Sequence, residues 1–274
     1  MLSSVGLCRS LLPLAVFVAA TGPASSADPA SGLRLIPFPK QVQLQEGNFR
    51  LGPELRLAVT AHETDQFAAS LLLEELRQSR GKGLAGPGTL GATTGLPHAL
   101  VLYPGSTRPA PEALELPTVE SDEAYALSVT PDRVLIGARN PQGLLRGVQT
   151  ARQLIRANTQ GDTLPALHVA DWPSLRYRAF QDDITRGPSS LLTTLEREVA
   201  LGAEMKLNFF TYYMEHQYAF SKHPVIGPEN GSLTPDELRQ LVAFAARYST
   251  DIIGCQQSFG HFHNILKHKE YANL

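Results

Sequence analysis

The sequence has little cysteine and no excess of charge of either sign. Cys8 and Cys255 are its only two cysteines in 274 residues, which excludes a disulfide framework. The 24 Lys and Arg residues nearly balance the 26 Asp and Glu residues, for a net charge of −2. A broad nucleic-acid-binding surface is therefore not predicted, and 43% hydrophobic residues exclude disorder over the bulk of the chain. The composition predicts a globular protein of one or two domains.

Several cofactor motifs are also missing. Residues 172–274 contain no GxGxxG turn, and the sequence has no GxxxxGK[ST] loop, so these nucleotide sites are not predicted. HExxH is absent, and the alternating His261 and His263 do not by themselves supply three metal ligands. Cys255 lacks the context of a catalytic nucleophile. We therefore predict neither a metal nor another cofactor.

Residues 1–27 have the layout of a secretory signal peptide. Arg9 is the only charge before an apolar run at residues 11–20, and Ser25 and Ala27 fit a cleavage site. The run is shorter than the roughly 20 residues of a membrane-spanning helix. We predict an exported protein that is periplasmic, secreted or lysosomal depending on its source. A buried N-terminal helix is the alternative.

Residues 28–171 show strand and helix patterns in mixed order, which predicts an α+β domain. Alternating apolar residues or short apolar runs predict strands at residues 55–59, 99–103, 125–129 and 134–136. Apolar residues on one helical face predict helices at residues 63–80 and 141–155. Residues 81–97 are rich in Gly, Pro and Thr and are predicted to be irregular.

Strands and helices alternate regularly from residue 172 to residue 274. Strands are predicted at 177–183, at 207–213 and from residue 252, with helices at 191–205 and from Thr234. This order predicts a parallel sheet, either doubly wound or in a (β/α)8 barrel. Polar residues follow each strand, and the barrel is favoured because its active sites lie at the carboxyl ends of the strands.

Seven segments, taken in order, carry a resemblance to a known family. They are residues 36–39 (IPFP), 125–129 (YALSV), 143–154 (GLLRGVQTARQL), 178–186 (RAFQDDITR), 206–208 (KLN), 234–248 (a capped helix) and 260–261 (GH). Together they resemble glycoside hydrolase family 20, the β-N-acetylhexosaminidases. The resemblance implies an N-terminal α+β domain at 28–171. It also implies, at 172–274, the first βα units of an incomplete (β/α)8 TIM barrel, with about three of its strands.

The family resemblance implies hydrolysis of terminal N-acetylhexosamine with retention at the anomeric carbon. In this substrate-assisted mechanism the acetamido oxygen of the sugar attacks, an Asp orients the acetamido group, and the adjacent Glu is the general acid. No Asp-Glu pair of this chain matches, since Asp122 and Glu123 lie in the first domain and Asp236 and Glu237 open a helix. We expect no catalytic residue in this chain, which looks truncated and is expected to be inactive alone.

Five residues are predicted to bind the substrate, an N-acetylhexosamine-containing glycan. The resemblance implies that Arg186 grips the sugar hydroxyls, that Asp183 supports the site, and that His261 lies near it. Pairing of Arg186 with Asp183 and a buried structural role for His261 are the alternatives. Glu215 and Tyr213 follow or end the second strand and are candidates for further sugar contacts.

Two positions depart from the family pattern. Cys255 and Gln257 stand where the resemblance implies a Glu and an Asp. Two interpretations follow. The chain is either a divergent hydrolase with a different sugar preference or a non-catalytic carbohydrate-binding or interaction module. The sequence does not define the oligomeric state.

Overall fold

A computed structural model describes residues 29–59, 63–80, 88–89, 98–104, 114–186 and 189–274. The predicted signal peptide, residues 1–27, lies outside these ranges. Among the helices within them, none is long and apolar enough to cross a membrane. Cys255 is a free cysteine.

A seven-stranded mixed sheet with two long helices forms the first part of the chain. After a 3-10 turn at Pro29–Gly32, its elements are β1 (Gln41–Arg50), β2 (Arg56–Val59), α1 (Glu63–Arg80), β3 (Gly88–Thr89), β4 (Ala99–Pro104), β5 (Tyr125–Val129), β6 (Arg133–Ala138), α2 (Pro141–Ala157) and β7 (Thr163–Asp171). The strand order is β1-β7-β5-β6-β4-β2-β3. Strands β6, β4, β2 and β3 run parallel, whereas β1, β7 and β5 pair antiparallel.

The apolar faces of α1 and α2 pack onto this sheet and onto each other. Leu72 and Leu76 of α1 and Leu144 and Val148 of α2 are buried in one core. The predicted α+β domain is confirmed. Strands β1 and β7 were not predicted, and the short strand β3 lies in the segment expected to be irregular.

Two glycines let α2 approach the sheet closely. A Cβ on Gly143 would lie 2.4 Å from the carbonyl oxygen of Ala124. On Gly147 it would lie 2.6 Å from Cγ2 of Ile136 and 3.1 Å from the ring of Tyr125. Ile136 and Tyr125 are fully buried, so neither can move aside freely.

We expect Gly147→Ala to destabilise the fold. Overpacking against Ile136 outweighs the gain in helix propensity, for a net loss of about 1–2 kcal/mol in the free energy of unfolding. Urea denaturation measures it. The exposed Gln142→Ala on the same helix is the control, expected to change stability by no more than about 0.5 kcal/mol. Equal stability of the two variants would contradict the close-packing argument.

The second part of the chain is a three-stranded parallel sheet. Its elements are β8 (Ala179–Asp183), α3 (Leu192–Glu204), β9 (Phe209–Tyr213), α4 (Pro235–Arg247), β10 (Asp251–Cys255), α5 (His263–Leu266) and a 3-10 turn at Lys269–Tyr271. The strand order is β8-β9-β10, and both neighbouring pairs are parallel. Thr234 and Glu237 form the capping box at the start of α4. The predicted strand–helix alternation is confirmed here.

A partly buried carboxylate joins the two sheets. Glu123 precedes β5 and accepts hydrogen bonds from Nε of Arg146 on α2 at 2.8 Å, from Arg178 and from Nδ2 of Asn208 at 3.0 Å. Arg178 and Asn208 immediately precede β8 and β9. The amide of Arg178 also donates to Oδ1 of Asn208 at 2.9 Å. Glu123 therefore holds the amino ends of two parallel strands against the first domain.

The buried ammonium group of Lys206 strengthens this junction. The ammonium of Lys206 donates to Oδ2 of Asp171 at 2.7 Å and to the hydroxyl of Tyr125 at 2.9 Å. Burial raises the pKa of Tyr125 and lowers the pKa of Lys206, although Asp171 opposes the shift of the lysine. Residues 206–208, singled out by the family resemblance, thus connect the two sheets.

We expect Glu123→Gln to destabilise the protein strongly. The change leaves the buried guanidinium of Arg146 without its carboxylate, a loss of about 3–5 kcal/mol. The neighbouring Asp122→Asn is the matched control, because Asp122 is exposed and its substitution is expected to cost less than about 1 kcal/mol. Thermal and chemical unfolding compare the two. A loss below 1 kcal/mol in Glu123→Gln would argue against a joint that depends on Glu123.

Candidate functional site

The five predicted substrate-binding residues meet at one edge of the parallel sheet. Asp183 and Tyr213, the last residues of β8 and β9, are register partners. Parallel strands end at a common edge, so the segments that follow them also converge there. Arg186, Glu215 and His261 lie on these segments and contact one another.

Glu215 is the centre of this group. It is only 3% exposed, and its Oε1 lies 3.3 Å from Nη2 of Arg186 and 3.6 Å from Nδ1 of His261. Its Oε2 lies 3.7 Å from Nδ1 of His216. One buried carboxylate therefore faces a guanidinium and two imidazoles.

Arg186 is held from a second side through Thr185. The amide of Thr185 donates to Oδ1 of Asp183 at 2.9 Å, and its hydroxyl donates to the same oxygen. That hydroxyl in turn accepts a hydrogen bond from Nη1 of Arg186. Asp183 thus supports Arg186 through Thr185. The arginine side chain stays 53% exposed, which leaves part of its rigid fork available to a ligand.

Neighbouring groups shift the pKa values of Asp183, Arg186 and Tyr213. Burial opposes ionisation of Asp183, but hydrogen bonds from Thr185 and the charge of Arg186 outweigh it and lower the pKa of Asp183. The hydrogen bond to Glu215 raises the pKa of Arg186. Burial and Glu215 together raise the pKa of Tyr213, so its phenol is neutral at physiological pH. The site presents a cation and a neutral hydroxyl beside two carboxylates.

His261 is an exposed member of the site. Its side chain is 61% exposed, and its ring meets the ring of Tyr213 edge-on at 6.5 Å and 85°. His261 and Glu215 have φ values of 56° and 43°, in the left-handed region. Such backbone strain in non-glycine residues costs about 1–3 kcal/mol and concentrates at functional sites.

The sequence analysis named neither Thr185 nor His216 as a substrate-binding residue. No motif marks a hydroxyl between two charged groups, so Thr185 had no signal. His216 contacts Glu215 and Nδ2 of Asn264, at 3.4 Å. Within the described ranges, no cluster of three or more His, Cys, Asp or Glu side chains is placed to hold a metal ion. Cys255 pairs with Tyr213 in the sheet register and so lies beside the site.

A family model agrees with this fold. The model described as glycosyl hydrolase family 20, domain 2, matches residues 32–172, about half of the chain. The chain belongs to glycosyl hydrolase family 20.

The curated relatives of this chain include hexosaminidases from Cellulomonas fimi and from human. The chain is 30% identical over 200 residues to a β-N-acetylhexosaminidase of Cellulomonas fimi, covering 66% of this chain and 40% of that protein. It is 26% identical over 256 residues to the human β-hexosaminidase subunit beta, covering 87% of this chain and 45% of that protein. The chain therefore spans less than half the length of these relatives.

Solved family 20 structures share the fold. A chitobiase of Flavobacterium johnsoniae superposes with a TM-score of 0.70 at 21% identity, covering 88% of this chain and 37% of the other. An N-acetyl-β-hexosaminidase of Streptomyces plicatus, in complex with thio-NAglucal, gives a TM-score of 0.68 at 23% identity. That superposition covers 87% of this chain and 48% of the other.

We expect His216 to titrate below the ordinary histidine value of 6.5, because burial and the charges of Lys267 and Arg186 lower its pKa and together outweigh the opposing effect of Glu215. The unfolded chain then binds the proton more readily, so this contribution to stability is present above about pH 6.5 and is lost as the pH falls. NMR titration of the imidazole measures the pKa. Between about pH 7 and pH 5, His216→Asn should lose less stability than the wild type. The exposed His263→Asn is the control, and a His216 midpoint above 6.5 would contradict the prediction.

Proposed function

We propose that this protein binds the terminal N-acetylhexosamine of glycans at the Arg186 edge, as part of a retaining β-N-acetylhexosaminidase. The observation that carries the proposal is the guanidinium of Arg186, held between Thr185 and the buried Glu215 with half of its surface open. A fixed fork of N–H donors suits the adjacent hydroxyls of a sugar. The names of the curated relatives point to the same sugar class.

Each residue of the site has a role in this proposal. Arg186 donates to sugar hydroxyls, and Asp183 positions it through Thr185. Tyr213 and His261 offer further polar contacts, since their rings meet edge-on at the same edge of the sheet. The main role of Glu215 is to hold Arg186 in place, and it also faces His261. A direct contact of Glu215 with the sugar is secondary.

The proposed architecture is an α+β domain at 28–171 and the first three strands of a (β/α)8 barrel at 172–274, with export directed by residues 1–27. The exposure of Ile253 supports the barrel. Ile253, in the middle of β10, is in register with Thr211 of β9, which is in register with Gln181 of β8, so the three side chains lie on one face of the sheet. On that face Ile253 is half exposed. In a barrel that face lies inside.

The proposed reaction is substrate-assisted. The acetamido oxygen of the sugar attacks the anomeric carbon while a general acid protonates the departing oxygen, and water then opens the cyclic intermediate. An acetamido-orienting Asp and an acidic Glu at the end of a fourth strand are not among residues 172–274. We propose that this chain supplies sugar-binding groups and that the general acid lies outside it.

Binding of N-acetylglucosamine to Arg186→Met tests the sugar contact. We expect saturable binding by the wild type and an affinity lower by about tenfold to hundredfold in the variant, since charged hydrogen bonds are lost. Ligand-observed NMR titration measures both. The control is Arg197→Met, an exposed arginine of α3, which should bind like the wild type. Equal affinities of Arg186→Met and Arg197→Met for N-acetylglucosamine would show that Arg186 does not bind the sugar.

The catalytic half of the proposal has its own test. The 274-residue chain should give no turnover of a chromogenic N-acetylglucosaminide, and turnover would show that the acid lies within it. Sequencing the native locus through the Leu274 codon should reveal a continuing frame with an Asp-Glu pair at a strand end. A stop codon there, together with saturable binding, would favour a carbohydrate-binding module instead.

A further inference from the structure

Arg186 and Glu215 stand on two different loops, and their ion pair needs a fixed distance between those loops. Arg186 lies on the segment that follows β8, and Glu215 lies on the turn that follows β9. Nη2 of the arginine and Oε1 of the glutamate are 3.3 Å apart, so moving either loop by about 1 Å would break the hydrogen bond. A residue that connects the two loops therefore controls where the guanidinium lies.

Gln217 closes the turn that carries Glu215. Its backbone amide donates to the carbonyl oxygen of Met214 at 2.7 Å, across Glu215 and His216. The closed turn holds Glu215 at a φ of 43°, which a non-glycine residue keeps only where its surroundings fix it. The carbonyl oxygen of Gln217 accepts from the amide of Leu233 at 3.1 Å, which closes the longer loop before α4. The backbone of Gln217 thus determines the position of Glu215.

The side chain of Gln217 reaches the loop that carries Arg186. Gln217 is only 7% exposed, and its amide nitrogen lies 2.8 Å from the carbonyl oxygen of Ile184. The same nitrogen lies 3.3 Å from the carbonyl oxygen of Gly231 and 3.3 Å from the hydroxyl oxygen of Ser189. The amide takes this orientation because its nitrogen is a donor and these three oxygens can accept.

The hydrogen bond to Ile184 is the contact nearest to the sugar-binding groups. Ile184 stands between Asp183 and Thr185, which hold Arg186 from its other side. Ile184 and Gln217 are both buried, so water does not readily replace the amide as the donor to this carbonyl oxygen. One side chain therefore links the two loops that carry the ion pair.

We propose that Gln217 is a positioning residue for sugar binding. Its side-chain amide sets the distance between the loops after β8 and β9, and so it places the guanidinium of Arg186 against Glu215. Gln217 does not touch the sugar and acts through Arg186. This inference rests on the proposed function, because it assigns the sugar contact to Arg186.

Gln217→Met tests the role of the amide, because methionine keeps the length of the side chain and removes its donor. We expect its affinity for N-acetylglucosamine to fall by about fivefold to fiftyfold in a protein that is still folded. Gln240→Met, at an exposed position on α4, is the matched control and should bind like the wild type. Ligand-observed NMR titration measures the affinities, and circular dichroism verifies folding. Equal affinities of the two variants overturn the proposal.

Gln217→Glu makes the donor depend on pH and also serves if Gln217→Met does not fold. A protonated carboxyl group donates a hydrogen bond to Ile184, whereas an ionised one donates none, and burial raises the pKa of the new group. His216 and Glu215 titrate nearby in both proteins, so each affinity is divided by that of the wild type at the same pH. We expect this ratio to be lower at pH 8 than at pH 4.5 by about fivefold or more. A ratio that does not change with pH contradicts the proposal.

Hydrogen exchange separates this inference from the proposed function. The backbone amide of Thr185 donates to Asp183, and its exchange measured by NMR reports on the Arg186 loop without any sugar. We expect exchange about fivefold or more faster in Gln217→Met than in Gln240→Met. If the wild type binds no N-acetylglucosamine, the proposed function fails, yet faster exchange still supports the link between the loops. Unchanged exchange shows that Gln217 does not position this loop.

Discussion

The hydrogen bonds accepted by Glu123 determine how the two sheets of this protein meet. One carboxylate binds Arg146 on a helix of the first domain and Arg178 and Asn208 at the starts of two strands of the second. A partly buried carboxylate with three donors strongly restricts their geometry, because a displacement leaves the buried charge of Arg146 uncompensated. The position and direction of β8 and β9 follow from this joint, and so does the place where those strands end.

The two edges of the parallel sheet therefore have different tasks. At the amino edge, Lys206 and Asp171 form an ion pair that attaches the sheet to the first domain. At the carboxyl edge, Glu215 is also buried, yet it faces groups that remain open to a ligand, Arg186 and His261. Because the amino edge is held rigidly against the first domain, the residues at the carboxyl edge keep the fixed geometry that a binding site needs.

Much of the local structure could be predicted from the sequence. The capping box of Thr234 and Glu237 and the apolar face of α2 are short-range patterns, and both are present. Strand β1 was missed because it pairs with β7, more than 100 residues away, and its own burial pattern is largely exposed. The helix predicted at residues 191–205 begins one residue later, because Leu191 is its N-cap and is 71% exposed.

The sequence by itself determined the α+β class, the strand–helix alternation and the residue types at the carboxyl edge, because these depend on periodicity and on order along the chain. Only the tertiary structure decided that Thr185 stands between Asp183 and Arg186 and that Glu215 is buried beneath the arginine. It also decided that the residues of the KLN segment hold two domains together. Contacts between distant segments depend on the register and packing of several elements at once, and no short stretch of sequence encodes that.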